Sequence, residues 1–306
     1  MSTLPNAAPV VAERGLSEHL RVFFDIARPR VMALVVFTGL PALLLGQSDV
    51  PSLAKAFWVL AGTALAGAAS SALNAYFERD ADARMARTRR RPLPAAVLLP
   101  RVVLAYGLLL IVVSTLILHA VGGWLAAFVG LATIAFYVGV YTLWLKPRTP
   151  QNIVIGGAAG ATAPLIASAA MTGTLTLEAW VLFTIIFMWT PPHFWAIAIF
   201  RKQEYADAGF PMMPLVVGDQ ATRWRSLAYT LVLIPCTLIP FYLGDSGLLY
   251  AASATALGVW FLGHVVTSMR RNDPVVDYRV FKVSVAYLSL LFLMLLVDVV
   301  VQRVGA

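Results

Sequence analysis

Asn74, Glu78 and Asp82 recur every fourth residue at the point where an apolar run gives way to charge. At about 100° per residue they share one face of a helix, stacked turn above turn, and form a stripe of oxygen donors. Asp80 points away from that stripe and rejoins it only if the helix frays near Arg79. Carboxylates crowded at a helix end repel one another unless a cation neutralises them, and a hard divalent ion suits the donor type. Magnesium takes oxygen ligands, keeps several waters and is usually held by one or two carboxylates together with substrate phosphate. The next residues supply Arg84, Arg87, Arg89, Arg90 and Arg91, whose planar forks match phosphate oxygens. An acid stripe followed by an arginine cluster points to a metal-bound diphosphate. The plainer alternative, solvated ion pairs at a helix end, is worth little and leaves Asn74, inside the end of an apolar span, without a partner.

A second patch lies in MWTPPHFWAIAIFRKQEYADAGFPMMP (188–214). Pro191 and Pro192 cannot donate backbone hydrogen bonds, so a kink is expected there. His193 follows directly. An ionisable residue within a span is a functional candidate, although a lone histidine bonded to a freed carbonyl would also explain it. Arg201, Lys202, Glu204, Tyr205 and Asp207 form a charged cluster just beyond. A third patch, YTLWLKPRTPQNIVIGGAAGATAP (141–164), offers Lys146, Arg148 and Asn152. Its run of small residues at 156–161 reads as a close helix contact. His19, His119 and His264 lack comparable company. Asp298, in the last apolar run, is expected to snorkel to the interface.

The elements that position these residues follow from composition. Of 306 residues, 60% are hydrophobic and 12% charged, with mean hydropathy +0.80, which excludes a water-soluble globule. The expected fold is all-α, a polytopic membrane protein with nine transmembrane helices around a central cavity. The spans fall near 31–46, 53–77, 102–119, 124–145, 152–171, 177–200, 226–243, 248–268 and 281–301. Lysine and arginine test the count, because they collect in cytoplasmic loops. The N-terminal arm and the loops after spans two, four, six and eight hold 21 of the 23 basic residues, which predicts the N-terminus in the cytoplasm and the C-terminus outside. The net charge of +8 is therefore topological, and no nucleic-acid partner is expected; membrane lipid is. The single cysteine excludes an internal disulfide, and no Cys/His cluster has zinc spacing. Residues 1–30 read as a cytoplasmic arm ending in an interfacial helix at 20–28, with Leu20, Phe23, Phe24 and Ala27 on one side; residues 31–306 form one transmembrane domain. The arm carries acids and only four arginines, unlike a transit peptide, which favours a bacterial inner membrane.

Together these motifs resemble the UbiA-type intramembrane prenyltransferases, and within them the heme O synthase (protoheme IX farnesyltransferase) branch. NAYFERDADARMARTRRRPLP (74–94) is similar to that branch's N-x-x-x-[DE]-R-D-x-D-x-x-M-x-R-T-x-x-R-P-L signature. The segment 141–164, then TPPHF and EYADAGFPMMP, recur there in the same order. The departures are Glu78, where the superfamily favours Asp, a second motif poorer in Asp, and Ala163, Ala167 and Ser168 in place of Pro or Gly.

The resemblance implies transfer of a farnesyl group from farnesyl diphosphate to a vinyl group of heme b, followed by water addition to give heme O. It further implies that Asn74, Glu78 and Asp82 hold Mg2+ on the diphosphate with Asp80 assisting, and that Arg87, Arg91, Lys146, Arg201 and Lys202 clamp its oxygens. Tyr205 would orient a phosphate or the water. His193 would face heme iron or act as a base. A heme A synthase is the partner implied downstream. Two rival readings are a prenyltransferase for an aromatic quinone precursor and a transporter whose broken sixth span lines a substrate path.

Overall fold

Apolar periodicity becomes helix at every regular element of the described residues, 15–46 and 51–305 of this computed structural model. The order is α1 (Leu16–Ile26), α2 (Pro29–Gly39) with a short 3-10 turn (Pro41–Leu43), α3 (Leu53–Arg84), α4 (Pro100–Ala135), a π-helix (Phe136–Leu145), α5 (Asn152–Gly160), α6 (Ala163–Thr172), α7 (Leu177–Phe200), α8 (Lys202–Asp207), α9 (Met213–Val217), α10 (Asp219–Tyr242), α11 (Leu248–Arg271) and α12 (Pro274–Gly305). Seven stretches among the described residues are long and apolar enough to cross a bilayer, and a bent pair near the N-terminus, Leu20–Ile26 with Pro29–Leu43, makes up to eight. One of the seven, Pro100–Leu145, has 46 residues, about 69 Å at 1.5 Å per residue, which exceeds a core of about 30 Å. Gly123, at φ +74°, breaks it inside, between the two spans expected at 102–119 and 124–145.

Large apolar side chains such as Leu109, Val112, Leu116, Trp124 and Phe128 on α4 and Val259 on α11 face outward, the surface that lipid requires and water forbids. Inside, helices approach on small residues. A Cβ on Gly62 would stand 2.8 Å from the Leu118 side chain, and one on Gly107 2.8 Å from that of Leu73, so α3 and α4 run backbone to backbone.

The expected contact of the 156–161 run is present. A Cβ on Gly156 would lie 2.2 Å from the Tyr141 ring, and one on Gly157 2.7 Å from Thr190, whereas Gly160 meets open space. Gly156→Ala is therefore expected to destabilise the fold by about 1–3 kcal/mol and Gly160→Ala to leave it unchanged. Thermal unfolding in detergent checks the pair.

Helix α3 continues to Arg84, as the stripe at 74–82 requires. Three expectations are corrected. The segment 201–225 folds into α8, α9 and the start of α10. Pro191 and Pro192 stand inside α7 without interrupting it, so the transporter reading loses the broken span on which it rested. Asp298 does not snorkel. It is buried, and its carboxylate accepts from the N–H groups of Gly247 and Tyr250, satisfying donors that the first turn of α11 leaves free. The interfacial helix expected at 20–28 corresponds to α1, whose Leu20 and Phe24 are exposed.

Candidate active site

The stripe on α3 keeps its register because the helix persists past the apolar run. Asn74, Glu78 and Asp82 are 1%, 7% and 2% exposed, while the Asp80 side chain is 86% exposed and meets Arg79 at 3.7 Å. Asp80 thus stays outside the site, as helix geometry demands.

The row is not bare, which corrects the expectation that only a dication could neutralise it. Glu78 Oε1 accepts from Lys146 Nζ at 2.6 Å. Asp82 Oδ2 accepts from Arg91 Nη1 at 2.7 Å. Asn74 Oδ1 accepts from Arg28 Nη2 at 2.9 Å, and Asn74 Nδ2 donates to Thr142 Oγ1 at 3.1 Å. Each partner comes from another element, so sequence spacing within α3 carried no trace of it.

Local folding explains how they arrive. The chain after α3 turns back because Thr88, fully buried, donates its hydroxyl to the Asp82 carbonyl at 2.7 Å and accepts the Arg91 N–H at 2.9 Å; Arg91 then faces the stripe it followed. Lys146 ends the π-helix, its N–H donating to the Tyr141 carbonyl, and its ammonium lies 4.7 Å from the Phe210 ring centre and 5.8 Å from that of Tyr141, a cation–π setting. π-Helical turns are uncommon and concentrate at functional sites. Arg28 sits at φ +53° between α1 and α2, before Pro29, and this break turns its side chain inward.

Glu204 on α8 joins the two charged loops, with Arg201 Nη1 at 2.6 Å and Arg87 Nε at 3.8 Å. Tyr205 is half-buried beside Met85 and Phe210. Lys202 departs from the expected group and pairs with Asp219 at 2.8 Å. Arg28, Arg87, Arg91, Lys146 and Arg201 thus face Glu78, Asp82 and Glu204, five basic groups against three carboxylates. Burial first, then repulsion from Arg28, pulls the Arg91 guanidinium below its usual range, and Asp82 opposes that shift. Such an excess of crowded cations favours a polyanion.

Hard oxygens from Asn74, Glu78 and Asp82 are the donor set that a magnesium ion accepts. Among the described residues no three Asp, Glu, His or Cys side chains converge, so an ion there would complete its shell from phosphate and water. His193 lies apart from this cluster, about 12 Å along α7 from Arg201, in the seam with α12. Its Nδ1 and Ser284 Oγ are 2.7 Å apart.

The chain is similar to known proteins along most of its length. The chain is 44% identical over 283 residues to a protoheme IX farnesyltransferase of Parvibaculum lavamentivorans, covering 91% of this chain and 88% of that protein. Its fold matches that of a digeranylgeranylglyceryl phosphate synthase with a TM-score of 0.77 at 14% identity, over 92% of this chain and 99% of the other. A UbiA homolog from Archaeoglobus fulgidus bound to DMAPP and Mg2+ matches with a TM-score of 0.65 at 16% identity, over 89% and 98%. The model of the UbiA prenyltransferase family spans residues 35–295. With the helical architecture and the charged mouth already in place, that match over most of the length decides the family: the chain belongs to the UbiA prenyltransferases.

Proposed function

We propose that this multi-pass membrane protein transfers a farnesyl group from farnesyl diphosphate to a vinyl group of heme b, with addition of water, giving heme O. The observation that carries the reading is the buried acid stripe on α3, met by Arg28, Arg91 and Lys146 from three other parts of the chain, with Arg87 and Arg201 gathered on Glu204, in a relative of protoheme IX farnesyltransferases.

In this reading Arg87, Arg91, Lys146 and Arg201 hold the diphosphate oxygens, and Arg28 joins them. Cations fixed in place before the allylic carbon and leaving oxygen separate meet the charge that develops on the diphosphate, without reorganisation cost. Asn74, Glu78 and Asp82 would hold Mg2+, which when bound supplies further positive charge to the phosphate oxygens. Glu78 and Asp82 meanwhile keep Lys146 and Arg91 extended toward the mouth. The apolar faces of the helices keep the farnesyl tail out of water, so the carbon electrophile meets the vinyl group before solvent. Tyr205, at the edge of the mouth, would orient a phosphate or the quenching water. Asp80 and Lys202 lie outside this arrangement.

Nine crossings, with the N-terminus in the cytoplasm, the charged mouth on that side and the C-terminus outside, belong to the same proposal, as do a bacterial inner membrane and delivery of product to a heme A synthase. The concentration of basic residues at this end of the helices supports it.

Membranes containing the chain, given farnesyl diphosphate and magnesium, should convert heme b to a more hydrophobic heme resolved by chromatography. Prenylation of 4-hydroxybenzoate with heme left untouched would transfer the assignment to the aromatic rival. Arg91→Lys should raise the KM for farnesyl diphosphate about tenfold with a smaller effect on kcat, because a point charge replaces the fork; steady-state kinetics separates the two constants.

A further inference from the structure

Helix α1 has two apolar faces, and the bundle covers one of them. Phe23 and Ile26 turn inward. Ile26 is 5% exposed, and the Phe23 ring meets Tyr106 of α4 at 4.9 Å between centres. Leu93 and Leu98, from the turn that carries Arg91, belong to the same cluster. Leu20 and Phe24 stand about 120–160° around the helix from Ile26. They are 61% and 62% exposed.

The bend after α1 sets its depth. The axes of Leu20–Ile26 and Pro29–Leu43 differ by 57°, so as α2 enters the bilayer α1 runs obliquely along its surface. Arg28 and Arg30 mark the boundary at the bend, and Arg21 and Asp25 are exposed beside Leu20 and Phe24. Apolar and charged side chains interleaved on one open face belong at headgroup depth. The start of α4 extends that face: Val102, one turn from Tyr106 on the same side, is 40% exposed and Leu99 50%. Arg21, Arg30 and Arg101 border this strip, exposed and without an ion-pair partner among the described residues. Over residues 15–31 the acids are Glu18 and Asp25, against Arg21, Arg28 and Arg30. An apolar strip rimmed by surplus arginine fits the phosphate headgroups of anionic phospholipid.

What this helix holds in place is a residue of the mouth. The N–H groups of Ala27 and Arg28 close its last turn on the carbonyls of Phe23 and Asp25. Arg28 then takes φ +53°, a conformation that side chains with a Cβ keep only where their surroundings impose it. Those surroundings are α2, embedded in the bilayer, and α1. With both fixed, Arg28 Nη2 donates to Asn74 Oδ1 at 2.9 Å and stands near enough to Arg91 to repel it. Lifting α1 would release the imposed backbone and withdraw Arg28.

We infer that α1 docks on the anionic headgroups of its own membrane through Leu20, Phe24 and the arginines bordering them, and that this docking positions Arg28 at the mouth. The second half rests on the reading of the mouth as a diphosphate site. Arg28 is the group that meets the diphosphate; Leu20, Phe24, Arg21, Arg30 and Arg101 are positioning residues. Each arginine at the headgroup layer strengthens the attachment about fivefold.

The test places the protein, with Cys236→Ser and a nitroxide on Ser17→Cys, in nanodiscs of phosphatidylcholine with or without phosphatidylglycerol. Ser17 is exposed, one turn before Leu20. In anionic discs paramagnetic relaxation should show the label colliding with dissolved oxygen more than with an aqueous nickel chelate. The preference should reverse in the triple variant Arg21→Gln, Arg30→Gln, Arg101→Gln and in the double variant Leu20→Ser, Phe24→Ser, and wild type without phosphatidylglycerol should behave like the triple variant. Both variants should bind farnesyl diphosphate about tenfold more weakly in anionic discs, the loss expected for one charge-assisted contact. Arg28→Gln should bind it as weakly while its label stays docked, and adding the double change to Arg28→Gln should cause no further loss. The charge-matched control Arg270→Gln with Arg271→Gln should match wild type. A label indifferent to lipid charge overturns the docking, as does broadening of its lines at high protein density without a lipid response, which would place a second copy on this face. Unchanged diphosphate binding in variants whose label has left the bilayer overturns the positioning. If wild type binds no farnesyl diphosphate in either disc, the diphosphate reading fails, and the label alone decides the docking.

Discussion

Asp82→Asn is expected to lower farnesyl transfer to heme by about 100- to 1,000-fold while the protein remains folded. Asparagine keeps the volume of the side chain and leaves the Asp82 carbonyl free to accept from Thr88 as before, so the turn that brings Arg91 back survives. What disappears is a charge that is 2% exposed and hydrogen-bonded to Arg91 at 2.7 Å. Removing one fixed electrostatic contact at a site of developing charge costs about 2.7–4 kcal/mol of transition-state stabilisation. The loss should exceed that of Arg91→Lys, because the carboxylate serves both as arginine anchor and as proposed magnesium ligand. Heme chromatography on membranes matched for protein amount reads the rate, and a thermal melt in detergent confirms folding. Magnesium should promote binding of a prenyl diphosphate to wild type and fail to do so with the variant. Normal turnover in Asp82→Asn would remove the carboxylate from the mechanism.

The stripe to which Asp82 belongs was legible because it depends only on helix period, and α3 extends far enough for that period to hold. Its partners were not. Lys146 reaches Glu78 from the end of the π-helix Phe136–Leu145, and nothing in that apolar stretch marks the change of pitch. Arg28 looked like the polar side of an interfacial helix; a left-handed residue before a proline redirects it to Asn74. Thr142 is a hydroxyl in an apolar run, and only tertiary packing reveals that it accepts from Asn74. Glu204 stood among the charged residues after α7 without a role, and the fold makes it the joint between Arg87 and Arg201.

The same distinction governs the spans. Hydropathy located the long apolar stretches, because burial in lipid constrains every residue of a crossing. It could not foresee that α7 accommodates two prolines, or that Asp298 turns inward to cap α11. Both outcomes depend on which donors and acceptors neighbouring segments leave free. Positive charge was read only as a matter of membrane side, which concealed a distinction within it. Arg223 counted as one more loop cation, yet it is as buried as any core residue.

That arginine carries the largest expected loss of stability. Arg223 on α10 donates through Nε to both oxygens of Asp277, at 3.1 and 3.2 Å, and through Nη2 to Oδ2. Its Nη1 donates to Asn272, and Ser268 donates to Asp277. Both charged side chains are 2% exposed, so one ion pair ties the start of α10, the end of α11 and the first turn of α12. Breaking it leaves an uncompensated buried charge. Asp277→Leu should therefore cost about 3–5 kcal/mol, whereas the double change Arg223→Met with Asp277→Leu should recover much of that loss, because desolvating two ions already offsets most of their mutual attraction. Thermal unfolding of purified protein in one detergent compares the three proteins. Among the described residues the partners of this network are Asn272, Asp277 and Ser268, none of them in the α3 stripe, so turnover per folded molecule should remain near wild type in the double variant. A double variant no more stable than Asp277→Leu would mean that the hydrogen bonds to Ser268 and Asn272, and not charge balance, hold the three helix ends together.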